Sequence, residues 1–127
     1  MPRRPSSSRT PIGRLRTLCL ALPEAHEAEA WGEPTFRVRN KLFAMYAHAD
    51  NHHGAGHHAV WVKATPIDQS LLVRAEPERY FVPPYVGVKE WIGVRLDGKP
   101  DWKALAQLLR DAYRLTAPKT LIAKLHE

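Results

Sequence analysis

The chain has 127 residues, of which 44% are hydrophobic and 25% are charged, a composition typical of a globular protein that needs no metal or disulfide to fold. Its single cysteine, Cys19, excludes an internal disulfide and fits a reducing compartment. No apolar run approaches the roughly 18 residues of a membrane span, and the apolar stretch after the basic start is too short for an export signal. We therefore expect a cytoplasmic protein with no membrane partner.

The positive charge is concentrated at the N-terminus. The formal net charge is +6, and five arginines with no acid stand in the first sixteen residues, so residues 17–127 contribute only about +1. Residues 1–10 are expected to form a disordered basic tail, because Pro, Ser and Arg cannot bury enough apolar surface to fold. Residues 11–127 are expected to form a single domain. The tail either solubilises the protein or contacts a phosphate backbone loosely.

The first half of the chain predicts one helix and three strands. Thr10 and Pro11 are typical of a helix start, and apolar residues then recur at helical spacing, which predicts a helix over 11–22. Phe36 and Val38 alternate with Arg37 and Arg39, which predicts a strand over 35–39, and residues 42–48 form the return strand. Asn40 between them tolerates the left-handed backbone of a hairpin turn. The segment "AVWVKA" predicts a third strand over 59–64.

The second half predicts three helices and one strand. Helices are expected over 66–75, 101–114 and 118–125, and a strand over 90–96, with an irregular aromatic and proline-rich segment before that strand. Strands grouped in hairpins predict an α+β fold, a two-layer sandwich in which an antiparallel sheet has helices packed on one face.

Five of the seven histidines lie between His48 and His58, and imidazole is a common metal ligand. Gly54 and Gly56 favour a flexible connection between strands, and nothing nearby would hold the rings in place. We expect no dedicated metal site. Replacing His52, His53, His57 and His58 by Ser is expected to change stability by no more than about 0.5 kcal/mol.

Several segments resemble the MmcQ/YjbR family of small bacterial proteins over about residues 15–120. They are "ALPEAHEAEAWGEPTFRVRNKLFAMYA", "PPYVG", "WIGVRLDG" and "DWKALAQLLRDAYRLTAPK". The resemblance implies a CyaY-like fold and DNA binding through a double-wing motif. The histidine-rich segment departs from the family pattern.

No motif for catalysis or for a cofactor is present, so we expect a non-enzymatic protein without cofactors. The large aromatic residues, Trp31 and Trp91 among them, are expected mainly in the core. Arg37 and Arg39 are expected on one side of a strand. The exposed sheet face would then present the predicted nucleic-acid-binding residues: Arg37, Arg39, Lys41, Lys63, Lys89 and Arg95. The alternative is a solvated face on which Arg37 and Arg39 pair with the nearby glutamates.

Tyr85 and Trp91 are predicted to supply stacking surfaces beside these cations. The favoured function is weak binding to the DNA backbone by a monomer. The alternative is a protein- or small-ligand-binding module that uses the open sheet face and the segment Pro83–Gly87. A third hypothesis, by analogy with frataxin folds, is metal handling by an acidic ridge of Glu24, Glu27, Glu29 and Glu33.

Overall fold

The structure, a computed structural model, describes residues 10–48, 58–83 and 90–125. Within these ranges it contains four helices and six strands. The helices are α1 (Pro11–Leu20), α2 (Pro66–Ala75), α3 (Trp102–Thr116) and α4 (Lys119–Ile122). The strands are β1 (His26–Ala30), β2 (Glu33–Val38), β3 (Lys41–Ala47), β4 (Ala59–Val62), β5 (Tyr80–Phe81) and β6 (Ile92–Arg95).

The six strands form one antiparallel sheet in the order β1-β2-β3-β4-β6-β5. The predicted α+β fold with an antiparallel sheet is confirmed. Within the described ranges, no helix is long and apolar enough to cross a bilayer.

Local sequence signals set the starts of the three longer helices. The hydroxyl of Thr10 accepts a hydrogen bond from the Gly13 amide at 3.0 Å, and Thr65 caps α2 in the same way at 3.1 Å. The Asp101 carboxylate accepts from the Ala104 amide at the start of α3. Each cap satisfies a backbone donor that the helix itself leaves unpaired.

The main core lies between the sheet and the helices. Leu15 and Cys19 of α1 and Leu105, Leu109 and Tyr113 of α3 are buried there. Burial raises the pKa of the Cys19 thiol, so this cysteine behaves as a small apolar residue and not as a nucleophile. Strands β2, β3, β4 and β6 supply the opposing side chains: Phe36, Val38, Phe43, Ala44, Tyr46, Val60, Val62, Ile92 and Val94.

A second apolar cluster occupies the opposite face of the sheet, here called the outer face. Met45, Ala47, Trp61 and Trp91 are all less than 10% exposed and form this cluster. The centre of the outer face is therefore not open, contrary to the hypothesis of an open sheet face. Apolar side chains that are already buried there cannot offer a surface to a ligand.

Two strands were not predicted from the sequence. Strand β1 alternates glutamate with alanine and histidine, residue types that are poor indicators of strand, and β5 has only two residues. Both lie at the edges of the sheet. Pairing with a neighbouring strand, and not local propensity, decides their conformation.

Candidate nucleic-acid interface

The β2–β3 hairpin carries three of the predicted cations. Val38 pairs with Lys41, and the two residues between them, Arg39 and Asn40, have φ of 51° and 65°. A two-residue turn with positive φ at both positions matches the right-handed twist of the flanking strands. The hairpin and the role of Asn40 agree with the sequence prediction, but Arg39 lies in the turn and not on the strand.

A bulge in this hairpin decides which side chains share a face. Phe36 pairs with Ala44 while Arg37 pairs with Leu42, so Phe43 is an extra residue on β3. The bulge lets Phe43 and Ala44 both join the main core. Arg37 stays on the outer face, where its Nε donates a hydrogen bond to the Thr35 hydroxyl at 3.1 Å.

Arg39 is held by an acidic partner. Its guanidinium donates to both carboxylate oxygens of Glu24, at 2.9 and 3.5 Å. This hydrogen bond is the main reason that the pKa of Glu24 is lowered and that of Arg39 is raised. Arg37 and Arg39 therefore do not form the two-arginine strand face that was predicted, because one guanidinium belongs to the outer face and the other to the turn.

Lys63 lies near the same end of the sheet but faces the helices. Its amide donates to the Phe43 carbonyl at 3.1 Å, and its side chain lines a cavity of about 230 Å³ with Asp68, Asp111 and Arg114. The carboxylate of Asp111 lies 3.3 Å from the Arg114 guanidinium. Lys63 is thus close to the hairpin in space while lying outside the predicted outer face.

Arg95 lies at the other end of the sheet. It pairs with Ala59 of β4, far from the β2–β3 turn. Its guanidinium stacks over the Phe81 ring at 5.1 Å and donates a hydrogen bond to the Pro77 carbonyl at 2.9 Å. Two further predicted residues, Lys89 and Tyr85, lie outside the described residues. Most of the segment Pro83–Gly87 lies outside them as well. Trp91 is only 8% exposed, so it cannot act as an open stacking surface.

Register therefore brings four of the six predicted cations to one end of the sheet, here called the hairpin end. Within the described residues this end also holds Arg114 and Lys124, the latter close enough to lower the pKa of Glu24. The group as a whole is positive, with six cations and four acids: Arg37, Arg39, Lys41, Lys63, Arg114 and Lys124, with Glu24, Asp68, Glu90 and Asp111.

The opposite end of the sheet, here called the loop end, holds polar contacts that were not predicted. Glu33 is fully buried, and its carboxylate accepts from the His48 amide at 2.9 Å and contacts His48 Nδ1 at 2.5 Å. Burial first, and the Glu33 and Asp97 carboxylates second, raise the pKa of Tyr46. Its hydroxyl lies 2.9 Å from His58 Nδ1.

These contacts give two of the histidines a structural role. His48 and His58 hold the two ends of the histidine-rich segment against β2 and β3, while His52, His53 and His57 lie outside the described residues. Within residues 10–48, 58–83 and 90–125, no group of three or more His, Cys, Asp or Glu side chains is arranged to hold a metal ion. A sequence signal for the Glu33–His48 pair is lacking, because the two residues stand fifteen positions apart.

The YjbR family model matches residues 20–115, which is most of the chain. The chain belongs to the YjbR family. Among solved structures, it is similar to the crystal structure of the Deinococcus radiodurans protein DR2400, which carries the family-model domain DUF419. The two chains are 25% identical, with a TM-score of 0.70, over 88% of this chain and 84% of that one. A search of curated proteins found no match.

Several residues that carry the YjbR resemblance have structural roles here. The Tyr113 hydroxyl donates to the Pro23 carbonyl at 2.6 Å, which ties α3 to the connection after α1. Trp31 and Gly32, with φ of 55° and 76°, form the two-residue turn between β1 and β2. Contrary to the core prediction, the Trp31 side chain is 65% exposed.

Proposed function

We propose that this YjbR-family protein acts by binding and not by catalysis, and that it binds the DNA backbone weakly through the hairpin end. The observation that carries the proposal is the sheet register, which gathers Arg37, Arg39 and Lys41 on one hairpin and places Lys63 beside it. Arginine and lysine side chains projecting from a hairpin can contact successive phosphates without reading sequence.

The charges at this end also explain why the binding should be weak. Affinity for duplex DNA rises with the number of phosphates that the protein neutralises. Glu24 already compensates Arg39, and Asp111 lies against Arg114. Arg37 and Lys41 carry no ion pair with a described acid, so these two residues should make most of the phosphate contacts.

The proposal is tested by fluorescence anisotropy with a labelled duplex over a range of salt concentrations. Each phosphate contact contributes about 0.9 to the slope of log affinity against log salt. Replacing Arg37 and Lys41 by Gln should therefore lower the slope by up to about 1.8 and weaken binding at every duplex sequence.

The matched control removes the same charge from two residues outside the hairpin end. Arg74 and Lys99 are both exposed, and replacing both by Gln should leave the slope nearly unchanged. Equal losses in the two double variants would show that binding does not depend on the hairpin end. An absence of binding even at low salt would refute the proposed function.

A further inference from the structure

The turn between β1 and β2 presents an exposed tryptophan side chain, and the turn itself does not require an aromatic ring at this position. Trp31 has a positive φ of 55°, a conformation that bulky side chains disfavour, and its side chain is 65% exposed. It makes no hydrogen bond or ring contact with another described residue. The two-residue turn accounts for the positive φ, whereas the exposed ring is better explained by an interaction than by packing.

An acidic side chain lies next to this turn. Glu27 and Glu29 point to the same face of β1 because they are two residues apart. Glu27 is engaged by Arg16 of α1 through contacts of 2.6 and 3.0 Å, whereas Glu29 is exposed. Glu29 and Trp31 together offer a carboxylate and an aromatic face, the two groups that an arginine guanidinium can engage at once.

The basic N-terminal tail begins close to this turn. A short connection makes α1 and β1 run in opposite directions, and the Arg16–Glu27 pair aligns them. Glu29 lies about 6.6 Å beyond Glu27 along β1. Roughly four residues of α1 span the same distance, counted from Arg16 toward the start of the helix. The first residue before α1, Thr10, is therefore near the Glu29–Trp31 end of β1.

We propose that residues 1–9 dock in cis on the β1–β2 turn, with an arginine guanidinium stacked on the Trp31 ring and paired with the Glu29 carboxylate. These nine residues contain Arg3, Arg4 and Arg9 and no acid, and an extended chain of this length reaches up to about 30 Å. The same protein already uses this type of contact, since Arg14 stacks on Trp102 at 4.5 Å.

The docked tail has a consequence for the distribution of charge. The hairpin end and the β1–β2 turn are separated by the length of β2, about 20 Å. Arginines held at Trp31 are kept away from the hairpin end. This inference does not depend on DNA binding, and it is tested without DNA.

The test follows the amide and indole signals of Trp31 and the amide of Gly32 by NMR in the full-length protein. Replacing Arg3, Arg4 and Arg9 by Gln should shift these signals. Glu29→Gln should shift them in the same direction, and the tail substitutions should then add less than half of their original effect, because the two changes remove one shared contact. Raising the salt from about 0.01 M to about 0.5 M shortens the screening length from about 30 Å to roughly 4 Å and should also move the signals toward those of the tail variant.

Glu78→Gln is the matched control, since Glu78 is exposed near the opposite edge of the sheet and its substitution changes the net charge equally. It should leave the Trp31 signals in place. Unchanged Trp31 signals in the tail variant would overturn the proposal, as would a tail effect that persists in full when Glu29 is replaced. A shift that grows with protein concentration would place the tail on another molecule and would also refute docking in cis.

Discussion

Single side chains at the loop end connect distant parts of the chain. Glu33 is fully buried, and both of its oxygens contact His48. A buried carboxylate that loses its partner is costly, since its remaining charge is poorly solvated. His48 is half exposed, which reduces that cost but does not remove it. The two histidines nearest the strands therefore stabilise the fold.

His48→Ala is expected to lower the free energy of unfolding by about 1–3 kcal/mol because Glu33 loses the imidazole contact. His58→Ser should cost about 1 kcal/mol through the lost hydrogen bond to Tyr46, a larger effect than the sequence led us to expect for the four histidines replaced together. Urea denaturation measures both. His26→Ala, at an exposed position, is the control and should stay within about 0.5 kcal/mol. Values for His48→Ala as small as the control would contradict a stabilising role for the pair.

At the scale of the strands, the short edge strand β5 depends on a glycine in its neighbour. Phe81 pairs with Gly93, and a Cβ at Gly93 would overlap the Phe81 ring. The missing side chain therefore lets the aromatic ring lie directly on β6, next to the outer-face cluster. Glycine normally weakens a strand. Its presence at position 93 is explained by the close approach of the Phe81 ring.

Gly93→Ala should destabilise the protein by about 1–3 kcal/mol, since the ring or the edge strand must move to admit the methyl group. In a Phe81→Ala background the same substitution should cost nothing or even stabilise, because the overlap is gone and alanine favours the strand over glycine. Thermal or urea unfolding of the four proteins in this cycle provides the comparison. Equal effects of Gly93→Ala in both backgrounds would show that Phe81 is not the cause.

Across the whole molecule, positive charge is uneven. The hairpin end has more cations than acids among the described residues, whereas the acidic strand β1 and its exposed turn lie at one edge of the sheet. One acid, Glu24, controls how much of the hairpin charge is available, because it binds Arg39 through both oxygens.

Glu24→Gln is expected to strengthen DNA binding through the hairpin end and to increase the salt slope by up to about 0.9, since Arg39 becomes available for one further phosphate. The pKa of Glu24 is lowered by Arg39, so at neutral pH the native carboxylate is charged and the substitution removes a full charge. Anisotropy titrations against Glu78→Gln separate this local effect from a change in net charge. Equal gains in the two variants would assign the effect to net charge alone.

Local patterns in the sequence were sufficient for most of the architecture. Helical spacing located α1, α2 and α3, with Thr10 and Pro11 marking the start of α1, and α2 matches its predicted bounds of 66–75. Alternation and Asn40 located the β2–β3 hairpin. Strand β1 was missed because its alternating glutamates and alanines do not distinguish an edge strand from a solvated loop.

The candidate site was only partly predictable. The sequence indicated which cations share the β2–β3 hairpin, because residues close in sequence stay close in a hairpin. It placed Arg39 on the strand face, whereas the turn and Glu24 determine its position. Trp31 was expected in the core, since an aromatic residue in a sequence carries no sign that it occupies an exposed turn.

Capping, turn chemistry and periodicity act over a few neighbouring residues, so local sequence patterns were enough to predict the class of fold, the longer helices and the central hairpin. The partners in the Glu24–Arg39 and Glu33–His48 pairs stand fifteen residues apart, and they meet only in the folded sheet. Such pairings depend on sheet register and on the bulge at Phe43. Both are set by the cooperative packing of the whole sheet against the helices.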